Sequence, residues 1–304
     1  MIRLQDCAVA TTTLIYYCRE ILRFLLYVRS NGIQNPSSIY MVDTVVLQYI
    51  LSQYNSSRSR SGLGNMKKLL SAFSHFAMVE IPLRLSRRAL LGWERLHPAT
   101  GKLPVSKEVM IGIAAFEHVH GDKILALVYI VMFFGYLRHN EAAQITYPLL
   151  YTPNMLPDSS AFRYAVFLLP KSKTGNNRVV RFTNPLAISA VCRLRSLLSV
   201  TPDWRLPSLS NFNKCLKKAL DFLGLQEVDI TSHGFRRGGA TNDYVDGRSI
   251  SEIMEAGGWK TRSSLEHYIT LSQFLLAEVP RCTNTLSMLA NNDPYRYLNL
   301  QQNV

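Results

Sequence analysis

The sequence predicts a mainly α-helical protein with one small antiparallel β-sheet. Two helical regions are indicated, because apolar residues recur three or four positions apart on either side of a break. The break is a cluster of Pro98, Gly101 and Pro104, which is typical of a linker. Inside the second region, residues 163–182 are rich in β-branched and aromatic residues and predict a β-hairpin. The 304 residues therefore favour two domains.

Residues 1–101 are predicted to form an all-helical domain. The first helix spans 11–30, where one face is apolar, and the second runs from Asp43, a good N-cap, to Tyr54. Residues 56–62 are polar and basic and are interpreted as a loop before the third helix. A fourth helix is expected after Pro82.

Residues 102–280 are predicted to form an α+β domain, followed by a C-terminal tail at 281–304. Helical periodicity and β-rich composition alternate along it. The elements expected, in chain order, are a helical stretch at 111–137, strands at 163–169 and 178–182 around a turn at 174–177, and helices from Leu186 onward with breaks at Pro202, Pro207 and Gly234.

The charge balance narrows the class of partner. Lys and Arg number 34 against 21 Asp and Glu, a net charge of +13 with a pI near 9.6. Such an excess favours a polyanion such as nucleic acid, although a basic protein without that partner is the plain alternative. The five scattered cysteines lack zinc-site spacing and indicate reduced thiols. With no signal peptide or membrane-spanning run in the pattern, we expect a soluble intracellular protein of either a bacterial cytoplasm or a eukaryotic nucleus.

Two segments of the second domain suggest phosphate chemistry through basic side chains. In Gly135–Glu141, Arg138 could present its planar donors to a phosphate and Glu141 could orient the guanidinium, or the two could form an ordinary surface ion pair. At the predicted hairpin tip, Lys171 or Lys173 could protonate a leaving oxygen, or could simply be solvated.

Two further segments supply a histidine with an arginine three residues later, and a tyrosine. His233 and Arg236 are three residues apart, which on a helix places both on one face where they could grip the same phosphate. Tyr268 follows Trp259 by nine residues. A tyrosine hydroxyl, with an unperturbed pKa of about 10, attacks phosphorus only where cations stabilise the charge. A structural histidine and a core tyrosine are the alternatives.

Taken together, the four segments resemble the tyrosine recombinase, or phage integrase, family in residue type, order and spacing. The resemblance covers about residues 106–276 by motif, and residues 1–101 are similar to the family's core-binding domain by architecture only. Tryptophan stands where many members have histidine, which resembles the Cre-like subset. The residues that match the family's active site are Arg138, Lys173, His233, Arg236, Trp259 and Tyr268, with Lys171 as the alternative lysine.

The resemblance implies a site-specific recombinase or integrase, of a virus or mobile element, that needs no metal ion, ATP or other cofactor. Tyr268 would form a 3′-phosphotyrosyl link while Lys173 protonates the 5′-oxygen. Arg138, supported by Glu141, and Arg236 would neutralise the phosphate, and His233 and Trp259 would assist. The alternatives are an enzyme like a type IB topoisomerase, an inactive DNA-binding relative, and a basic helical scaffold.

The resemblance also implies the partners. Both domains would close as a clamp on duplex DNA, and the apolar segment 271–279 would pack on a neighbouring protomer to give a homotetramer on paired sites, or would form an intramolecular helix. Neither a membrane nor a small-molecule substrate is expected. The basic residues expected to contact phosphates are Arg58, Arg60, Lys67, Lys68, Arg87 and Arg88, and a solvated basic face is the alternative.

Overall fold

A computed structural model describes residues 9–34, 36–98, 103–155, 164–172, 175–266 and 268–269. The chain divides into two compact units, residues 1–100 and 101–304. The expected boundary at Gly101, the hairpin lysine Lys173, the apolar segment 271–279 and the tail at 281–304 lie outside the described residues.

In the described part of the first unit, four helices bring their apolar faces together in one core around Tyr49, Leu69 and Trp93. The helices are α1 (Thr11–Ser30), α2 (Ile39–Ser57), α3 (Arg60–Ala77) and α4 (Arg84–Leu96). The loop expected at 56–62 is wrong, because only Arg58 and Ser59 separate α2 from α3. The serine-rich sequence makes this short link possible, since the Ser59 side chain accepts the Gly62 N–H and caps α3.

Asp43 caps a helix, but not the one that the sequence pattern predicts. Ser38 is the N-cap of α2, while Asp43 lies inside α2 with 4% of its surface exposed. Its carboxylate accepts the backbone N–H groups of Leu85 and Ser86 at 2.8 and 3.0 Å, and the Ser86 hydroxyl at 2.6 Å. It thereby satisfies the first turn of α4, 42 residues away in the chain, where the helix dipole favours a negative charge.

The second unit is mainly helical around a small antiparallel sheet, so the predicted fold class is confirmed. The strands pair in the order β1-β2-β3. Their bounds are β1 (Leu150–Tyr151), β2 (Ala165–Ser172) and β3 (Gly175–Phe182), and the helices are α5 (Lys107–His120), α6 (Lys123–Phe134), α7 (His139–Ala142), α8 (Pro185–Val200), α9 (Leu209–Phe222), α10 (Ser232–Val245) and α11 (Ile250–Gly257). No helix among the described residues is long and apolar enough to cross a bilayer.

Several predicted details of the second unit are corrected. The stretch at 111–137 is two helices, because the chain turns at Gly121 and the Asp122 carboxylate caps α6 by accepting the N–H of Ile124 at 2.8 Å. The strands extend further than expected, so residues 175–177 belong to β3 rather than to a turn. The predicted breaks at Pro202 and Pro207 do fall between α8 and α9.

The break predicted at Gly234 is wrong, since α10 runs through it, and the glycines of this helix serve close packing instead. A Cβ on Gly238 would overlap the carbonyl oxygen of Val105, and one on Gly239 would overlap that of Phe133. Their absence of side chains lets α10 approach the end of α6 at backbone contact. This contact places the Gly135–Glu141 segment beside the helix that carries His233 and Arg236.

Replacing Asp43 tests its role as a cap on α4. We expect Asp43→Asn to lower the free energy of unfolding by about 1–3 kcal/mol, because a buried carboxylate that accepts three hydrogen bonds becomes an amide. Hydrogen–deuterium exchange should increase in peptides covering residues 84–96. As the matched control, Glu80→Gln removes an exposed ion pair with Arg87 and should cost less than about 1 kcal/mol. Equal effects of the two substitutions would contradict the capping role.

Candidate active site

A buried carboxylate, that of Glu141, lies at the centre of the candidate site. Arg138 precedes the short helix α7, and its Nη1 donates to Glu141 Oε1 at 2.7 Å while its backbone N–H donates to Oε2 at 3.0 Å. Glu141 is 3% exposed and the Arg138 side chain 27% exposed. The carboxylate therefore holds the Arg138 side chain from the buried side and leaves part of its guanidinium exposed to solvent.

Two more guanidinium groups approach the same carboxylate from other elements. Arg236 Nη1 on α10 lies 3.7 Å, and Arg178 Nη2 on β3 lies 3.8 Å, from Glu141 Oε2. Arg178 is not among the site residues predicted from the sequence. Its position in the strand carries no motif, and only the tertiary structure reveals its contacts with Glu141 of α7 and with Gly257 at the end of α11.

Arg236 is fully buried and its terminal nitrogens are engaged. Nη1 donates to the carbonyl oxygen of Tyr136, and Nη2 donates to that of Gly257 at 2.8 Å. The Trp259 indole lies over the guanidinium, 3.9 Å from its carbon to the ring centroid. Burial first, and then the neighbouring Arg138, lower the pKa of Arg236 to about 9, so it stays charged at neutral pH.

An unusual backbone conformation delivers the carbonyl that Arg236 uses. Tyr136 has a φ of 49°, in the left-handed region that a bulky residue rarely adopts. Its hydroxyl donates to the Asp243 carboxylate, and Arg248 Nη1 donates to the Tyr136 oxygen at 3.1 Å. Burial, followed by the charge of Asp243, raises the pKa of Tyr136. This network holds the bend that turns the backbone just before Arg138.

The tyrosine expected to be the nucleophile lies against the predicted histidine. His233 Nε2 is 3.2 Å from the Tyr268 hydroxyl oxygen, within hydrogen-bond distance. His233 and Arg236 both lie on α10. The guanidinium carbon of Arg237, which the sequence analysis did not single out, is 4.7 Å from the centroid of the Tyr268 ring, and the Trp259 ring is 6.2 Å from it. The structure therefore brings together the four predicted residues Arg236, His233, Trp259 and Tyr268.

His233 is neutral at neutral pH in this environment. Burial, and then the charges of Arg237, Arg236 and Arg138, lower the pKa of His233 to about 4. A neutral imidazole has one ring nitrogen that accepts a hydrogen bond. In the tautomer that carries its proton on Nδ1, the Nε2 of His233 accepts a hydrogen bond from the Tyr268 hydroxyl.

Of the two candidate lysines, the structure describes only Lys171. Its side chain is exposed, and its backbone N–H and carbonyl are both bonded to the side-chain amide of Gln144, at 3.1 and 2.7 Å. Because Gln144 follows α7 closely, this amide ties the hairpin to the segment that carries Arg138. The choice between Lys171 and Lys173 stays a prediction.

The six predicted DNA-contacting residues all belong to the first unit, whereas the residues described above belong to the second. Two of them pair with carboxylates, Lys67 with Glu94 at 2.8 Å and Arg87 with Glu80 at 2.9 Å. The others are Arg58, Arg60, Lys68 and Arg88, of which Lys68 lies over the Tyr16 ring and Arg58 over the Tyr54 ring. Their contact with DNA stays a prediction.

The arrangement suits the binding of an anionic group beside the Tyr268 hydroxyl. Guanidinium groups supply positive charge and N–H donors in a poorly hydrated environment, where their attraction for an anion is strong. Within the described part of the chain, no cluster of three or more His, Cys, Asp or Glu side chains is arranged to hold a metal ion.

The low pKa of His233 is open to direct measurement. Of the seven histidine C2–H signals in an NMR titration, we expect one with a midpoint near 4 that is missing in His233→Asn. Because the folded pKa lies below the ordinary value of 6.5, this group contributes stability above pH 6.5 that is lost as the pH falls towards 4. A midpoint at or above 6.5 for the His233 signal would contradict the buried, cationic environment.

Comparison with known proteins gives matches in structure but not in sequence. No protein-family model and no curated protein sequence matches the chain. Three similar solved structures are XerH site-specific recombinase bound to a palindromic difH substrate, a lambda integrase dimer bound to a core site, and the Tn1549 transposon integrase with transposon right-end DNA. Their sequence identities are 15%, 14% and 14%, and their TM-scores 0.60, 0.57 and 0.56. The alignments cover 87%, 86% and 89% of this chain and 78%, 89% and 94% of those chains. The chain thus has the fold of the tyrosine recombinases.

Proposed function

We propose that this protein is a site-specific DNA recombinase of the tyrosine class, which cleaves and rejoins duplex DNA through a covalent link to Tyr268. The observation that carries the proposal is the contact of the Tyr268 hydroxyl with His233, 3.2 Å apart, beside a cluster of buried guanidinium groups. The shared fold with recombinases and integrases, and the net charge of +13, support a DNA substrate.

In the proposed reaction the Tyr268 oxygen attacks the scissile phosphorus. The bond from phosphorus to the 5′-oxygen breaks as the new phosphotyrosyl bond forms, so the 3′ end stays attached to the protein. The tyrosine proton passes to His233, because the bound phosphate anion offsets the neighbouring arginine charges that lower the pKa of the imidazole. A hairpin lysine, Lys173 or Lys171, protonates the leaving 5′-oxygen. Since one phosphoester replaces another, the reverse attack by a 5′-hydroxyl rejoins the strand, and neither ATP nor a metal ion is required.

The two arginines that match the family motif, Arg138 and Arg236, differ in how accessible they are to a phosphate. Arg138 is partly exposed and offers its guanidinium to the charged phosphate oxygens. Arg236 is covered by the Trp259 ring, so direct contact with the phosphate requires the indole to move. Trp259 has a buried indole N–H that finds no acceptor among the described residues, and a phosphate oxygen is a suitable one. We propose that Trp259 acts here as the tryptophan of the Cre-like subset does.

We further propose assembly as a homotetramer on paired DNA sites, in the service of a virus or mobile element. An enzyme like a type IB topoisomerase would use the same chemistry as a monomer. An inactive DNA-binding relative has no need of a tyrosine placed against a neutral histidine.

The nucleophile is tested with nicked duplexes that carry candidate sites from the DNA flanking the protein's own gene. In the presence of EDTA we expect the wild-type protein to form a covalent complex that survives denaturing electrophoresis. Tyr268→Phe should abolish the complex, since no phenol oxygen remains, while DNA binding in a gel-shift assay is retained.

The matched control is Tyr244→Phe, which removes a hydroxyl from a partly buried tyrosine of the same apolar cluster. It should leave the covalent yield unchanged. An undiminished complex with Tyr268→Phe would refute the assignment of the nucleophile. Binding without a complex for the wild-type protein, after sites have been selected from random DNA, would favour the inactive relative.

The role of the partly exposed Arg138 is tested by the effect of its substitution on the rate of covalent-complex formation. We expect Arg138→Ala to slow covalent-complex formation by about 10²- to 10³-fold, because a charged donor to the developing phosphorane oxygens is lost. Arg138→Lys should recover part of the rate, since it keeps the charge but not the paired donors. Single-turnover kinetics on the nicked duplex measure both, and a loss in DNA affinity that accounts for the whole effect would contradict a role in the reaction.

A further inference from the structure

Arg178 makes the same pair of contacts as Arg236, although it comes from a different element. On β3, Arg178 Nη1 donates to the carbonyl oxygen of Gly257 at 2.7 Å, and its Nη2 lies 3.8 Å from Glu141 Oε2. On α10, Arg236 Nη2 donates to the same carbonyl at 2.8 Å, and its Nη1 lies 3.7 Å from the same carboxylate oxygen. Two guanidinium groups thus share two acceptors.

The shared carbonyl is fixed by its own surroundings. Gly257 ends α11, and a Cβ at this residue would overlap the Trp259 indole. The backbone therefore passes directly beneath the ring that covers Arg236, and both arginines hold it there. Displacing Arg178 would release one side of this carbonyl and one side of the Glu141 carboxylate.

The charges at this point do not balance. Three guanidinium groups, those of Arg138, Arg178 and Arg236, surround the single carboxylate of Glu141, so the net charge is 3 − 1 = +2. The Arg178 side chain is only 13% exposed, and this burial is the largest cause of the lowered pKa of Arg178. Its Nε and the Nε of Arg236 are buried and have no acceptor among the described residues. Uncompensated buried charge of this kind favours the binding of an anion.

We infer that Arg178 is a positioning residue for the proposed phosphate site, holding the Gly257 carbonyl and the Glu141 carboxylate so that Arg138 and Arg236 keep their places beside the scissile phosphate. The inference rests on the proposed function. Arg178 acts through the other two arginines, and its contribution is therefore to the stabilisation of charge on the non-bridging oxygens.

A different role would act on the leaving group. Arg178 lies on the strand that leads back to the hairpin lysines, so it could instead place the group that protonates the 5′-oxygen. Two chemically modified DNA substrates distinguish these roles. A methylphosphonate replaces a charged non-bridging oxygen with a methyl group, so a defect in charge stabilisation matters less. A bridging 5′-phosphorothiolate has a leaving group that needs no acid, so a defect in protonation matters less.

The experiment measures single-turnover formation of the covalent complex on three nicked duplexes, once the wild-type cleavage position has been mapped. The duplexes carry a phosphodiester, a methylphosphonate or a 5′-phosphorothiolate at that position. On the phosphodiester we expect Arg178→Met to lower the rate about 10- to 100-fold and Arg178→Lys to lower it less. On the methylphosphonate the loss should shrink to within about threefold of the wild-type rate, and on the phosphorothiolate it should persist.

Arg181→Met is the matched control, because Arg181 lies on the same strand, is exposed and stacks on the Tyr164 ring, 4.8 Å from its centroid. It should react like the wild-type protein on all three duplexes. A loss by Arg178→Met that is equal on all three would show a merely structural role, and recovery on the phosphorothiolate would show a role at the leaving group. Either result overturns the inference and leaves the proposed function standing.

Failure of the proposed function gives a different pattern. In that case the wild-type protein forms no covalent complex on the unmodified nicked duplexes, so no cleavage position can be mapped. Thermal melting of each variant accompanies the kinetics. If Arg178→Met does not fold, Arg178→Lys carries the same comparison, since its single ammonium cannot span both acceptors.

Discussion

The candidate site depends on the buried carboxylate of Glu141. Three guanidinium groups reach the Glu141 carboxylate, those of Arg138 just before α7, Arg178 on β3 and Arg236 on α10. Without this charge the three arginines would repel one another in a poorly hydrated environment, and removing one partner from such a cluster is strongly destabilising. Because Glu141 is fixed by the backbone N–H of Arg138, the orientation of the whole cluster follows from one short helical turn.

Backbone proximity then determines where these charges lie. Gly238 and Gly239 allow α10 to contact the backbone at Val105 and Phe133. This close packing leaves the Arg236 side chain little space for another conformation. Tyr136 bends the chain immediately after α6, and its carbonyl accepts from Arg236. The site is thus specified as much by residues without functional groups, or with strained backbones, as by the charged residues themselves.

The sequence was sufficient for the fold class and for the groups that local spacing controls. His233 and Arg236 are neighbours on one helix, and that relation can be read from three residues of separation. Arg178 could not be found in this way, because its partners lie in α7 and at the end of α11 and are reached only through tertiary packing. Asp43 shows the same limit, since its chemistry as a cap is visible in the sequence but the helix that it caps is not. The serines at 56–59 resemble a loop by composition, yet one of them is the cap that makes a loop unnecessary.

Because Arg178 and Arg236 share the Gly257 carbonyl, neither arginine can make this contact until the chain has been synthesised as far as residue 257. During synthesis, Arg138, Arg178 and Arg236 leave the ribosome before the acceptor that two of them require, and Tyr268 follows eleven residues after that acceptor. A nascent chain therefore carries the three arginines before it carries either the carbonyl that two of them bind or the proposed nucleophile. Contacts that join residues 141, 178, 236 and 257 are distant in sequence, and non-local contacts of this kind slow folding. For the chemistry proposed above, this means that a partly made chain can bind a polyanion but has no means to cut it.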